Sequence, residues 1–173
     1  MRPEMDARLA QVLEARDLRW RKLAGYCRLY QGCIVVATMN IPGPEKNNTV
    51  VSHAFGRMLQ DLERETGSSL LCLEQDSPPG GPYAFFLDRE GRDAEGLKRV
   101  LVEFELRHPV GRWIDLDVRK SDLSAVSRVQ LGFPERRCIL CDHPAKECAR
   151  SRRHPVEELY QATMRALEAY AGM

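Results

Sequence analysis

Cys33–Met39 reads CIVVATM, an unbroken apolar run rich in β-branched residues. A run of that kind reads as a strand buried within a sheet. It stops at Asn40-Ile-Pro-Gly-Pro44, whose prolines and glycine mark a turn. Residues 6–30 before it carry Leu9, Val12, Leu13, Leu18, Leu23 and Tyr26 at near-helical spacing. Beyond the turn, residues 46–65 place Val50, Val51, Ala54, Phe55, Met58, Leu59 and Leu62 on one helical face, with Gly67 as the stop. Residues 69–74 and 82–88 read as two further strands around a Pro/Gly-rich loop, 77–81. Asp93 caps a short helical turn, residues 99–107 and 112–118 read as strands, and residues 155–170 close the chain as a helix. Strands and helices mix without strict alternation. The expected fold class is therefore α+β, with a mixed or antiparallel sheet packed with helices, and not a doubly wound sheet.

The length of 173 residues predicts one domain spanning 1–173, within which 119–154 is irregular, basic and Cys-rich. A net charge of +1 argues against a whole-protein nucleic-acid or membrane role, although residues 119–153 carry nine Lys/Arg against four Asp/Glu. The N-terminal stretch is charged and amphipathic, unlike a signal peptide, and no run is long enough to span a membrane. The expected compartment is the cytoplasm. There the six cysteines read as thiols, metal ligands or core residues, with Cys27, Cys33 and Cys72 placed in the core.

Residues 102–118, VEFELRHPVGRWIDLDV, alternate polar and apolar residues in both arms. With a turn centred on Val110, Glu105 faces Asp115 and Glu103 faces Asp117, so four carboxylates share one face of an acidic hairpin. Like charges so placed repel unless protons, arginines or a metal offset them. Two carboxylates two residues apart on a strand can hold Mg²⁺, which draws further ligands from substrate phosphates and so suits nucleotidyl transfer. The alternative is a solvated face neutralised by Lys98, Arg99 or Arg107.

Cys138, Cys141, Cys148 and His154 have the spacing Cys-x2-Cys-x6-Cys-x5-His, the ligand types and number of a structural, tetrahedral Zn²⁺ site. The competing reading makes the cysteines small core residues and His154 a helix cap. Arg136 and Arg137, with Arg150, Arg152 and Arg153, surround the cluster and suit a polyphosphate, or else a solvated basic face. Gly43 and Lys46 sit between a strand end and a helix start, where a phosphate can approach; a plain turn is the other reading. Arg16-Asp17-x-Arg19 is equally compatible with an ordinary helix surface, and His53 reads as structural.

Four blocks together resemble the apo-citrate lyase phosphoribosyl-dephospho-CoA transferases, the citrate lyase holo-acyl-carrier-protein synthase family. They are Arg16-Asp17-x-Arg19, Asn40-Ile-Pro-Gly-Pro-Glu-Lys46, His108-Pro-Val-Gly-Arg-Trp-Ile-Asp-Leu-Asp-Val118, and the set running from Ser127-Arg128 through Pro134-Glu-Arg-Arg-Cys-Ile-Leu-Cys141 to Cys148-Ala-Arg150 and His154. The hairpin and cysteine blocks in this order are the specific ones. Val110, the order Trp113-Ile114 and Glu135 depart from the family's usual residues without moving a charged position.

The resemblance implies a nucleotidyltransferase-like reaction. A serine of the citrate lyase acyl carrier subunit attacks the α-phosphate of 2'-(5''-triphosphoribosyl)-3'-dephospho-CoA, and pyrophosphate leaves. The nucleophile belongs to the partner, consistent with the lack of any Ser-His-Asp or Cys-His constellation in the sequence. On this reading Asp115 and Asp117 hold Mg²⁺, Glu103 or Glu105 completes the site or acts as base, and Arg112, Arg136, Arg137, Lys46, Gly43 and Arg16 bind phosphates. Two other readings compete: the analogous transferase serving malonate decarboxylase, and a non-catalytic zinc-stapled binding module. A nucleic-acid partner is not expected, since aromatics are 7% and not interleaved with basic residues.

Overall fold

The apolar run forms strand β1 (Ile34–Met39), an inner strand of the sheet. The computed structural model describes the backbone of residues 2–173 and the side chains of residues 10–173. Within these residues the chain runs α1 (Arg2–Leu29), β1, α2 (Thr49–Thr66), β2 (Leu70–Asp76), β3 (Tyr83–Asp88), α3 (Ala94–Arg107), β4 (Ile114–Arg119), α4 (Ala145–Ser151) and α5 (Val156–Ala171). The four strands lie in the order β2-β3-β1-β4, every neighbouring pair antiparallel. This is the α+β class that the pattern indicates.

Helices cover both faces of the sheet. On one face Val35, Ala37, Ala84, Phe86, Leu116 and Val118 join Phe55, Met58 and Leu62 of α2, Leu97, Leu101 and Phe104 of α3, and Leu167 of α5 in the main core. On the other, a smaller cluster holds α1 down: Leu23 and Cys27 pack on Ile34, Val36, Tyr83 and Phe85. Leu9, assigned to the apolar face of the first helix, lies outside the described side chains. The second helix forms where its pattern places it. Asn48 Oδ1 accepts from Val51 N (2.9 Å) at its start, and Gly67 turns left-handed (φ 59°) at its end.

The acidic hairpin is corrected by the fold, because its first arm is part of a helix. Asp93 caps α3 by accepting from Gly96 N (2.7 Å), and Leu97, Leu101 and Phe104 recur at i, i+4 and i+7 on the buried face. The alternation of Val102, Phe104 and Leu106 fits a strand only if Leu106 is buried, and it is 54% exposed. β4 pairs with β1 instead, Asp115 opposite Thr38 and Asp117 opposite Val36. Glu103 and Glu105 therefore do not face Asp117 and Asp115. The tight connection to β4 needs a glycine, since a Cβ on Gly111 would lie 2.3 Å from the Glu105 carbonyl oxygen. Cys72, expected in the core, is exposed on edge strand β2, whereas Cys27 and Cys33 are buried.

Candidate functional site

β4 is an edge strand, so one side of its backbone lacks a strand partner. Buried Lys98 and Glu105 and half-buried Arg136 occupy that side. Glu105 Oε1 accepts from Leu116 N (2.9 Å), Lys98 Nζ donates to Leu116 O (2.5 Å), and Arg136 Nη1 donates to Ile114 O (2.7 Å) and Arg112 O (3.2 Å). The other Arg136 nitrogen bridges Glu105 (2.8 Å) and Asp115 (2.9 Å), and Arg128 pairs with Glu105's second oxygen. Burial pushes the Glu105 carboxyl up, against the pull of Arg136, the Leu116 amide, Lys98 and Arg128. Both its oxygens are engaged in holding α3, β4 and the C-terminal segment together. Glu103 is exposed on α3 and belongs to none of these contacts.

Alternation along β4 buries Ile114, Leu116 and Val118 and turns Asp115, Asp117 and Arg119 to the opposite face, the one covered by α1. There they line a cleft of about 540 Å³ with Thr38 of β1 and with Leu13, Arg16, Asp17, Arg19 and Trp20 of α1. The two aspartates are 46% and 40% exposed, and each has a cation near it: Asp115 has Arg136, while Asp117 has Lys98 at 3.5 Å and Arg119 at 3.7 Å. Asp115 uses Oδ1 for Arg136, and its Oδ2 takes no hydrogen bond among the described residues. Arg119 lies against the half-exposed Trp20 ring at 5.6 Å, and its Nε is buried with no hydrogen-bond partner among the described residues. Burial, and then neighbouring Arg16, push the Arg19 guanidinium pKa down.

Beside the cleft, the hydroxyl of buried Tyr83 donates to Glu74 (2.6 Å). Glu74 also takes hydrogen bonds from Tyr26 (2.9 Å) and from Lys22 of α1. The loop between β2 and β3 comes so close to α1 that a Cβ on Gly80 would sit 2.6 Å from Ala15 Cβ. These contacts fix the helix that brings Arg16 and Arg19 over the aspartates.

The structure thus gathers Asp115, Asp117 and Arg16, brings Arg136 to Asp115 from the outer side of β4, and leaves Lys46, Gly43, Arg112 and Arg137 apart. Lys46 Nζ donates to Ile41 O (2.6 Å) in its own loop, where burial pushes its pKa down, and it borders a separate small cavity. Gly43 packs against Val156 and Tyr160. Arg112 leans over Trp113 and donates to Arg137 O, while Arg137 is exposed and pairs with Asp142 at 3.2 Å. Arg112, Arg136 and Arg137 line a second cavity of about 310 Å³ with His108 and Arg128. Sequence reasoning missed Trp20 and Arg119 as cleft residues. Both were within reach of pattern: Leu13, Arg16, Asp17 and Trp20 follow i, i+3, i+4, i+7 on a helix, and Arg119 has the parity of Asp115 and Asp117 on a strand.

Cys138, Cys141, Cys148 and His154 do converge. Their ligand atoms all lie within 4.8 Å of one another, with Cys141 Sγ 3.4 Å from Cys148 Sγ and 3.2 Å from His154 Nε2. Bonds of about 2.3 Å to sulfur and 2.0–2.1 Å to nitrogen around a tetrahedral ion require similar spacings, so this cluster could bind a metal.

The sequence profile of the apo-citrate lyase phosphoribosyl-dephospho-CoA transferase family matches residues 7–170. The chain belongs to this family. A relative from Vibrio cholerae serotype O1 (strain M66-2) is 35% identical over 160 residues, covering 91% of this chain and 89% of its own. Two from Streptococcus pyogenes, serotypes M18 and M5, are 31% and 33% identical, each covering 94% of this chain and 86% of its own. All three carry the name "Probable apo-citrate lyase phosphoribosyl-dephospho-CoA transferase". The matched region takes in both Arg16-Asp17-x-Arg19 and the Asp115/Asp117 pair, the two parts of the cleft.

Proposed function

We propose that this chain, acting as one transferase domain over 1–173, loads the phosphoribosyl-dephospho-CoA group onto a serine of the citrate lyase acyl carrier subunit. The donor is 2'-(5''-triphosphoribosyl)-3'-dephospho-CoA. The serine oxygen forms a bond to the α-phosphorus, the bond to pyrophosphate breaks, and the serine proton passes to a base or to solvent. The single observation that carries the reading is the convergence of Arg16 and Arg19 from α1 with Asp115 and Asp117 from β4 on one cleft.

Arg16, Arg19 and Arg119 bind the triphosphate. The exposed ring of Trp20 offers a stacking surface for the base. Asp115 and Asp117 would hold Mg²⁺: they are hard oxygen ligands two residues apart, and Asp115 keeps one oxygen uncommitted. When bound, that ion supplies charge neutralisation on the transferred phosphate and on the departing pyrophosphate. Arg136 orients Asp115, and Lys98 and Arg119 orient Asp117. Glu105, with both oxygens engaged, serves the scaffold, so neither it nor Glu103 is retained as base. Arg112, Arg137, Lys46 and Gly43 shape the neighbouring loops.

The Cys₃His cluster holds a structural Zn²⁺; four protein ligands leave no open position for chemistry. Six cysteines outside any disulfide suit a cytoplasmic location, and no helix among the described residues is long and apolar enough to cross a membrane. Incubation with donor, Mg²⁺ and apo-carrier, followed by intact mass spectrometry of the carrier, tests the reading. The citrate lyase carrier should gain the mass of one phosphoribosyl-dephospho-CoA group with release of pyrophosphate. An unmodified citrate lyase carrier beside a modified malonate decarboxylase carrier would reassign the acceptor, and no modification of either would overturn the transferase reading.

A further inference from the structure

We propose that the Cys₃His metal centre positions the cleft carboxylate Asp115, with Arg136 as the connecting side chain. The inference deepens the function proposed above and rests on it for its activity arm alone.

Residues 136–145 form a small hairpin. Ala145 N donates to Arg136 O (2.8 Å), Cys138 N donates to His143 O (2.7 Å), and Arg137 bridges to Pro144. Cys138 and Cys141 stand at its tip, Cys148 comes from α4, and His154 follows that helix. Little apolar packing holds this segment: Cys148 is the buried residue of α4, and Ile139 is only partly buried against the core. Its shape therefore depends on what binds the four ligand atoms, as in small domains whose metal supplies the folding energy.

Arg136 stands at the base of this hairpin, two residues before the first ligand. It makes four hydrogen bonds, to Ile114 O, Arg112 O, Glu105 and Asp115. A guanidinium meets such a set only if its backbone is fixed, because the planar fork cannot follow a displaced anchor without losing partners. Metal loss frees the hairpin, and Arg136 then releases Asp115 and the outer side of β4 together. Arg16, Arg19 and Arg119 reach the cleft from α1 and from β4 itself and remain in place. The defect should therefore fall on turnover and spare donor binding.

The test compares wild type and Arg136→Gln, each as purified and after zinc removal with a chelator, with zinc added back as the reversal. Two quantities are read: amide hydrogen exchange over residues 114–118, and kcat and KM for transfer. Metal analysis should give one zinc per chain in both proteins. Chelation of wild type should speed exchange over 114–118, leave α2 and α3 protected, and lower kcat about 10–100-fold, the range typical of groups that orient a metal ligand, with KM for the donor little changed. Arg136→Gln should show the same two defects with zinc bound, and chelation should add little to either, because both changes break one chain of contacts. Additive losses in the double treatment, or unchanged exchange over 114–118 in the chelated wild type, would overturn the proposal. So would loss of protection across α2 and α3, which would make the metal a general folding ligand. Coupled exchange with unchanged kcat would instead remove Asp115 from the chemistry and leave the transferase reading to stand on the carrier assay.

Discussion

Where the sheet meets α2, α3 and α5, Val35, Ala37, Phe86 and Leu116 face Phe55, Leu101 and Leu167, all of them buried. Where it meets α1, apolar packing covers only part of the surface, and Glu74, Asp115, Asp117 and Arg119 take the rest beside Arg19 and Lys22. The first face is held by removing hydrocarbon from water, which needs no partner of fixed charge. The second is held by pairing charges, which leaves a wet cleft able to take a polyphosphate. Separating the two tasks lets the chain keep Glu74, Asp115 and Asp117 on one sheet face while most of its apolar burial lies on the other.

The sharpest way to break this contrast is to damage the apolar face. Phe55→Ala should lower unfolding free energy by about 3–5 kcal/mol in urea titrations; a cost under about 1 kcal/mol would mean the core is not where the stability lies. Asp117→Asn asks the opposite of the other face. Transfer should fall about 10²–10³-fold, the scale of losing one charge-stabilising group at a reaction centre. The melting temperature should hardly move, since Asp117 is 40% exposed and its cations lie at 3.5 and 3.7 Å. Near-normal rates would remove Asp117 from the chemistry.

Gly80→Ala probes how α1 is seated. Its new methyl would meet Ala15, and overpacking of this kind costs about 1–3 kcal/mol. Because α1 carries Arg16 and Arg19, the KM for the donor should rise more than kcat falls in steady-state assays. The smallest effect is a pH dependence. Burial alone would raise Glu74, but hydrogen bonds from Lys22, Tyr83 and Tyr26 outweigh it and hold the carboxyl below its ordinary value. A depressed carboxyl contributes stability above its unfolded pKa, and that contribution drains away as pH falls through the folded value. Denaturation measured from pH 6 to about pH 3 should show a shallower acid loss in Glu74→Gln than in wild type. Equal slopes would mean that the cluster around Tyr83 does not hold α1.

Legibility in the sequence followed how many constraints each segment carried. β1 and α2 had one period and clear ends, so Cys33–Met39 and the face from Val51 to Leu62 could be read directly. Residues 99–107 carried two periods at once. Val102, Phe104 and Leu106 alternate, while Leu97, Leu101 and Phe104 repeat at helical spacing, and only a window opening at the Asp93 cap separates them. The strand reading misplaces two helical glutamates: Glu103 is exposed on α3, and Glu105 meets β4 at its outer side, through Leu116 N and Arg136, and not across a hairpin. The pairing of Asp115 and Asp117 survived because it needs only strand parity. The cysteine cluster was legible because metal ligands are specified by residue type and spacing and need no core. That α1 supplies the cleft's other wall was not readable, since nothing local says which sheet face a helix will cover.

The outward side of β4 also shapes the edge of the sheet. Leu116 N, Leu116 O and Ile114 O on that side are taken by Glu105, Lys98 and Arg136, so an extended peptide arriving there finds these groups already paired. A fifth strand could join only beside β2, where the irregularity between Cys72 and Glu74 breaks the even spacing such an addition requires. The side chains that frame Asp115 thus also stopper the sheet, and a variant lacking them should be watched for self-association as closely as for lost turnover.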